Sequence, residues 1–488
     1  LGAGTDALEL GNAANSVTIS TTETITGGTA ADTITLATTL TGVTLDLGAD
    51  ADVLNLADVA NTGSVSNVET INGGTDDDTL TLLTAVTSGA FDLDDGTDAL
   101  TFANGTNSAT VSGTETITGG TGDDSITLGA ALASGTIDLN GGTDSLTLAD
   151  GANAITVSDA ETITGGTGAD DITLGSDATG ATIDLGAGAD SITLGNFANS
   201  VTLSNVETIT GNADDDSIAL ATAIAGGSID LAAGADALVL ADGTNSATVS
   251  NVETLTGGTG ADSVTLGTTL TGMTVDLGGG SDALTLANVA NTGSVSNVET
   301  IDGGSDDDAI TLLTAVSGGD FDLAGGTDTL TLANGANTAT VANAETLTGG
   351  SGNDSITLAT TLTGVTVDLG TGADALTLAD VVNTGTLSGV ETLTGGTDDD
   401  TIVMATAVSG GAVDLGGGTD SLTLGNFANT LTVSNVETII ANADDDSITL
   451  GAAITAGSID LAAGTDTLVL GNFTNSAMGV ARPAALSR

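Results

Sequence analysis

Carboxylates are the one kind of chemically capable side chain that this sequence holds in number. It carries 65 of them over 488 residues, against two arginines and no lysine, histidine or cysteine, for a formal net charge of −63. They recur in registers. One aspartate closes a glycine-rich loop at Asp32, Asp78, Asp124, Asp170, Asp216, Asp262, Asp308, Asp354, Asp400 and Asp446. A second closes another loop at Asp6, Asp52, Asp98, Asp144, Asp190, Asp236, Asp282, Asp328, Asp374, Asp420 and Asp466. A third lies in an apolar-Asp-Leu segment (VDL, IDL, LDL or FDL), as at Asp46, Asp92 and Asp276, and a glutamate opens an ETI or ETL tripeptide from Glu23 to Glu437. Paired acids can hydrolyse glycosides, and clustered acids can hold hard cations. Catalysis needs one irregular site, whereas each register here is repeated ten times or more. The pattern therefore speaks against an enzyme.

The elements that carry these acids follow from their interval. The glutamates are 46 residues apart through nine successive intervals, without an insertion. That is the signature of one supersecondary unit stacked on itself. A longer period lies above it, since VANTGSVSNVETI at 59–71 returns at 289–301, and GSIDLAAG at 227–234 returns at 457–464. From Glu253 the runs SVTL, MTVDL, ALTL and GSVSNV alternate apolar and polar residues between Gly, Asn and Asp clusters. Period-two alternation marks half-buried strands, and no 3.6-residue helical pattern persists.

Asp262 and Asp282 lie 20 residues apart and Asp308 follows 26 later, which predicts two coils per repeat. The expected fold is all-β: a right-handed parallel β-solenoid, β-roll- or β-helix-like, of about 21 coils averaging about 23 residues. It is expected to run as one continuous body over residues 1–477, with a non-repeat tail at 478–488 that holds Arg482 and Arg488. At ~4.8 Å per coil this predicts a rod on the order of 100 Å long. A two-sided roll and a three-sided helix both suit these intervals. Val264, Leu266, Val275, Leu277, Leu284 and Leu286 are the expected inward columns.

Coils stacked in register would bring the loop aspartates into a ladder. Two carboxylates ~5 Å apart repel by roughly 1 kcal/mol in water and by several at a dielectric of ~20. With no lysine to offset it, the ladder needs a neutralising partner. A divalent cation bound by glycine-loop carbonyls and carboxylates meets that need. The simpler alternative is turn chemistry alone, because Asn and Asp tolerate left-handed backbone without a metal. GGTGADSVT at 257–265, GGTGDDSIT at 119–127 and GGSGNDSIT at 349–357 fit the nine-residue pattern G-G-x-G-x-D-x-U-x, where U is a large apolar residue. The chain thus resembles RTX (hemolysin-type) calcium-binding β-roll proteins, among them S-layer proteins and giant adhesins.

The resemblance implies calcium clasped between neighbouring loops. The loop aspartates of both registers would then be ligands, joined by carbonyls such as those of Gly257, Gly258 and Gly260. Family members have about 18 residues per coil and loops on both edges. Here turns such as GTTLTG at 267–272 lack the aspartate, which predicts calcium along one edge only. Loops reading GGTDDD, at 73–78 and 395–400, also depart from the pattern.

Composition bounds the function. Without a basic surface, nucleic acid is no partner. Thiol and Cys/His zinc chemistry are out, as are histidine bases and lysine Schiff bases. No apolar run approaches the ~18 residues of a membrane span. At 40% hydrophobic residues the chain is no disordered acidic tail. The resemblance to RTX proteins implies a secreted, extracellular structural protein of a bacterial surface, an S-layer, matrix filament or adhesin stalk, that folds with calcium. Leu1 opens in mid-pattern, so continuation in a longer chain or head-to-tail stacking with itself is expected. Cell-surface polysaccharide is a further candidate partner. A rival reading is an ice- or surface-binding region using the outward threonines Thr35, Thr127, Thr173, Thr265 and Thr285, although threonine is also simply a good strand residue.

Overall fold

Short β-branched runs between glycine and asparagine turns form strands here, most of them three to five residues long. The structure is a computed structural model that describes residues 4–476, 479–481 and 486–487. Among the described residues every regular element is a strand. The chain divides into two compact units, one comprising residues up to 242 with 250–252, the other 243–249 with 253 onward.

Each unit is a parallel β-solenoid. In the first, Thr33–Leu36 pairs in parallel with Val53–Asn55, and Thr44–Gly48 with Thr62–Ser66. In the second, Ser263–Leu266 pairs with Ala283–Thr285, and Thr274–Asp276 with Thr292–Ser296. Each strand thus bonds to the strand two places on, and consecutive strands lie in opposite sheets. One coil is two strands and two turns, the two-sided form of the solenoid.

The coils are smaller than expected. Register partners are 20 residues apart at Thr265 and Thr285, and 17 apart at Thr292 and Ala309. One 46-residue repeat holds five strands: Thr254–Thr256, Ser263–Leu266, Thr274–Asp276, Ala283–Thr285 and Thr292–Ser296. It therefore spans two and a half coils, not two. The interval from Asp282 to Asp308 contains an extra reversal at Asn291, a turn without an aspartate. Because five is odd, successive repeats begin in opposite sheets, and the same loop falls on alternate edges.

The core lies between the sheets. Val264, Leu266, Val275, Leu277, Leu284 and Leu286 are all buried, as their spacing predicted. Each such side chain stabilises the fold by ~1.5–3 kcal/mol. The space is narrow: Phe91 fits only because residue 89 is glycine, whose Cβ would stand 2.5 Å from the ring. At the far end, Gly479–Ala481 pairs with Ser458–Asp460 and Leu486–Ser487 with Thr467–Val469, so strand pairing reaches into the segment read as a tail. Arg482 and Arg488 lie outside the described residues.

Candidate functional site

The loop aspartates do not line an outer rim. From Asp32 to Asp466 all of them are buried at the solenoid corners, 0–2% exposed, while Asp6 is half-buried. They form a polar column inside the turn. In the second unit the column runs Asn291, Asp308, Asp328, Glu345, one residue per coil. The Asn291 N–H and Nδ2 both donate to Asp308 Oδ1 at 2.9 Å. The Asp308 N–H donates to Asp328 Oδ1 at 2.7 Å, and the Asp328 N–H to Glu345 Oε2 at 2.7 Å. In the first unit Asn61, Asp78, Asp98 and Glu115 repeat the same order at 2.6–2.9 Å. Each side chain satisfies the backbone donor of the coil before it, which a corner buried from water requires.

Alternation of the repeats puts these columns on both edges. Asp78 and Asp98 precede Thr79–Leu82 and Ala99–Thr101 in one sheet, whereas Asp124 and Asp144 precede Ser125–Leu128 and Ser145–Thr147 in the other. The expectation of a single acidic edge is corrected by this geometry. An odd number of strands per repeat is the reason.

Column aspartates differ in what their second oxygen meets, and the first register itself divides, since Oδ2 is buried without a partner at Asp78, Asp170, Asp216, Asp354, Asp400 and Asp446. Asp124 Oδ2 receives the Gly120 N–H at 3.0 Å, and Asp308 Oδ2 the Gly304 N–H at 3.3 Å. Oδ2 of Asp52, Asp98, Asp144, Asp282, Asp328 and Asp420 is buried with no hydrogen-bond partner. An unpaired buried carboxylate is expensive. Burial, followed by the charges of Asp308, Glu345 and Asp307, pushes the Asp328 carboxyl up to about 6 against the lowering pull of the Asp308 N–H. Burial likewise raises Asp98 to about 7, with Asp78, Glu115 and Asp77 adding to it. Asp52, Asp144 and Asp420 rise to about 6, and Asp190, Asp282 and Asp374 shift in the same direction, burial being the largest cause in each.

The glycine loops crowd carbonyl oxygens beside these carboxylates. A Cβ on Gly257 would lie 2.1 Å from the Leu277 carbonyl oxygen, and one on Gly260 2.1 Å from that of Gly243. A Cβ on Gly280 would stand 2.4 Å from the Gly260 carbonyl oxygen and 2.8 Å from Asp282 Oδ1. The Gly258 carbonyl already accepts the Gly279 N–H at 2.9 Å. Carboxylates with one orphaned oxygen, in the same turns as glycine-lined carbonyls, suit a hard cation in donor chemistry. Among the described residues no three acidic side chains converge as a metal cluster. A cation here would therefore draw on backbone carbonyls and one carboxylate at a time.

The remaining predicted positions have structural partners. The recurrent glutamates cap the columns, as Glu345 and Glu115 do. The strand aspartates hold the next coil: Asp276 Oδ1 accepts Asn297 Nδ2 at 2.7 Å and the Gly278 N–H at 3.1 Å. Outward threonines stack in register at Thr265 and Thr285, but the next residue of that row is Asp302, so the row does not continue as threonine. The column asparagines escaped the sequence reading. Asn291 Nδ2 also donates to the carbonyls of Ala287 and Val289, and its Oδ1 accepts the Leu270 N–H at 3.0 Å. Their signal was available, since asparagine recurs at the same 46-residue interval from Asn15 to Asn429. No protein-family model matches the chain, and no curated protein matches it.

Proposed function

We propose that the chain is a structural repeat protein of the bacterial exterior, stabilised by calcium at its corner columns, serving as S-layer, matrix or adhesin-stalk material. The observation that carries this reading is the set of buried, partnerless Oδ2 atoms recurring along the columns, in turns whose glycines bring backbone carbonyls close to the neighbouring coil. Such atoms are tolerated at neutral pH when a proton or a cation meets them. Asp52, Asp98, Asp144, Asp282, Asp328 and Asp420 would supply the carboxylate oxygen, and loop glycines such as Gly260 the carbonyls. Calcium would supply the positive charge that the chain itself lacks. The repetition of the four acidic registers supports scaffold over catalyst, because recurring corners offer no single reacting centre.

The test is a calcium titration of the purified chain at pH 7.5, followed by circular dichroism and calorimetry after treatment with EDTA. Strand signal that rises with calcium and heat released at several sites per chain are expected. A chain equally folded and equally heat-resistant in chelator would sink the calcium reading.

A further inference from the structure

At one corner the chain departs from its own repeat in a way that changes the chemistry. The turn before each glutamate holds a residue with left-handed backbone, as at Asn67, Asn205 and Asn297 with φ of 54°, 53° and 54°. Where that residue is asparagine its Nδ2 donates to the strand aspartate of the preceding coil, Asn67 to Asp46, Asn205 to Asp184 and Asn297 to Asp276, each at 2.7 Å. Gly113 and Gly389 stand there without a side chain. Between Glu115 and Glu161 the equivalent residue is Asp159, facing Asp138.

The backbone is unchanged there. Asp159 has a φ of 52°, and its N–H donates to Ser176 Oγ at 2.7 Å, as that of Asn205 does to Thr222 Oγ1 at 2.7 Å. Asp138 Oδ1 still accepts the N–H two residues on, from Asn140 at 3.0 Å. Only the amide donor is gone, replaced by a carboxyl group that faces a carboxylate. Two such groups in contact cannot both ionise without strong repulsion, and a proton restores the missing donor.

We propose that Asp138 and Asp159 share one proton, so that this corner of the first unit is a latch that closes in acid and loosens as the proton leaves. The surroundings agree. Burial, then the charges of Asp138 and Glu161, raise the Asp159 carboxyl above the ordinary aspartate range, against the lowering effect of Ser176. Glu161 is engaged by the Asp144 N–H at 2.6 Å. Asp177, beside Ser176, is engaged by the N–H and hydroxyl of Thr179. Neither supplies a positive charge. Since the folded group binds its proton more tightly than the unfolded chain, the contribution is complete below the unfolded value of ~3.9 and is lost as pH rises through the raised one.

The experiment is hydrogen exchange by mass spectrometry on the full chain in EDTA at pH 4 and pH 7.5, comparing wild type with D159N and with N297D. At pH 4 wild type and D159N should protect residues 154–162 alike. At pH 7.5 the wild-type segment should exchange roughly two- to fivefold faster than in D159N, the range expected for facing like charges. N297D should transfer the same pH dependence to residues 292–300. Equal protection in wild type and D159N at pH 7.5, a gain in D159N that is the same at both pH values, or an N297D corner indifferent to pH would each overturn the proposal.

Discussion

Asp308 and Asp328 sit one coil apart in the same column, both 1% exposed and both accepting a backbone N–H from the coil before. Their second oxygens divide them. Asp308 Oδ2 takes the Gly304 N–H, whereas Asp328 Oδ2 meets nothing. The first aspartate closes a loop whose own glycine amide turns back on it, so its charge sits among donors. The second lies between two acids, Asp308 and Glu345, with one donor to its name. In this column the same residue type thus does two jobs. One is an acceptor that organises a turn, and the other is a charge held in reserve for a proton or a cation. Elsewhere, as at Asp78 and Asp354, the first aspartate also has a partnerless Oδ2.

The largest effect expected from this division is on the pH dependence of the whole fold. The second-loop carboxyls have folded pKa values of about 6 at Asp52, Asp144, Asp328 and Asp420 and about 7 at Asp98. These lie above the unfolded value of ~3.9. Between those limits the folded chain binds more protons than the unfolded one, so stability is full below pH ~4 and falls as pH rises through 6 to 7. Each group contributes a slope of up to ~1.4 kcal/mol per pH unit, and the groups add along the columns. Thermal melts in EDTA should therefore show a more stable chain at pH 4.5 than at pH 8, the reverse of ordinary acid denaturation. Melts that rise with pH in chelator would break the comparison.

Mutation of the first aspartate comes next. Asp308→Ala leaves the Asn291 N–H and Nδ2 without their shared acceptor and frees the Gly304 N–H. Unsatisfied buried donors cost ~1–3 kcal/mol each. A local loss of about 3 kcal/mol should appear as faster hydrogen exchange over residues 287–312 at pH 4.5 and pH 8 alike. The pH independence is the point, because what is lost is an acceptor. An effect confined to high pH would mean that charge, not acceptance, is what Asp308 provides.

Much of this was legible before the structure. The alternation in SVTL and ALTL placed Val264, Leu266, Leu284 and Leu286 inside, where they are. The interval between aspartates located every loop that an aspartate closes. Coil size was harder, because the turn at Asn291 carries no aspartate and dropped out of the count. Counting acids therefore merged two reversals into one, and one acidic edge was expected where there are two. Burial of the aspartates was also missed. A Gly-rich loop reads as exposed, and only stacking shows that its last side chain turns inward to reach an amide one coil away. Asn291 belongs to the same column and was passed over because it bears no charge.

The smallest effect has the opposite sign and isolates the second aspartate. Asp328→Asn keeps an oxygen for the Asp308 N–H and removes the charge between Asp308 and Glu345. At pH 4.5, below the raised Asp328 carboxyl, the exchange of residues 303–345 should match wild type. At pH 8 in EDTA the variant should be the better protected by up to about 3 kcal/mol, the order set by moving one carboxyl from its unfolded value to about 6. Adding calcium should narrow the gap, since a cation offsets in wild type what the amide removes in the variant. A variant weaker than wild type at pH 8 in chelator would show that the Asp328 carboxylate stabilises the bare fold, and the two aspartates of the column would then be alike.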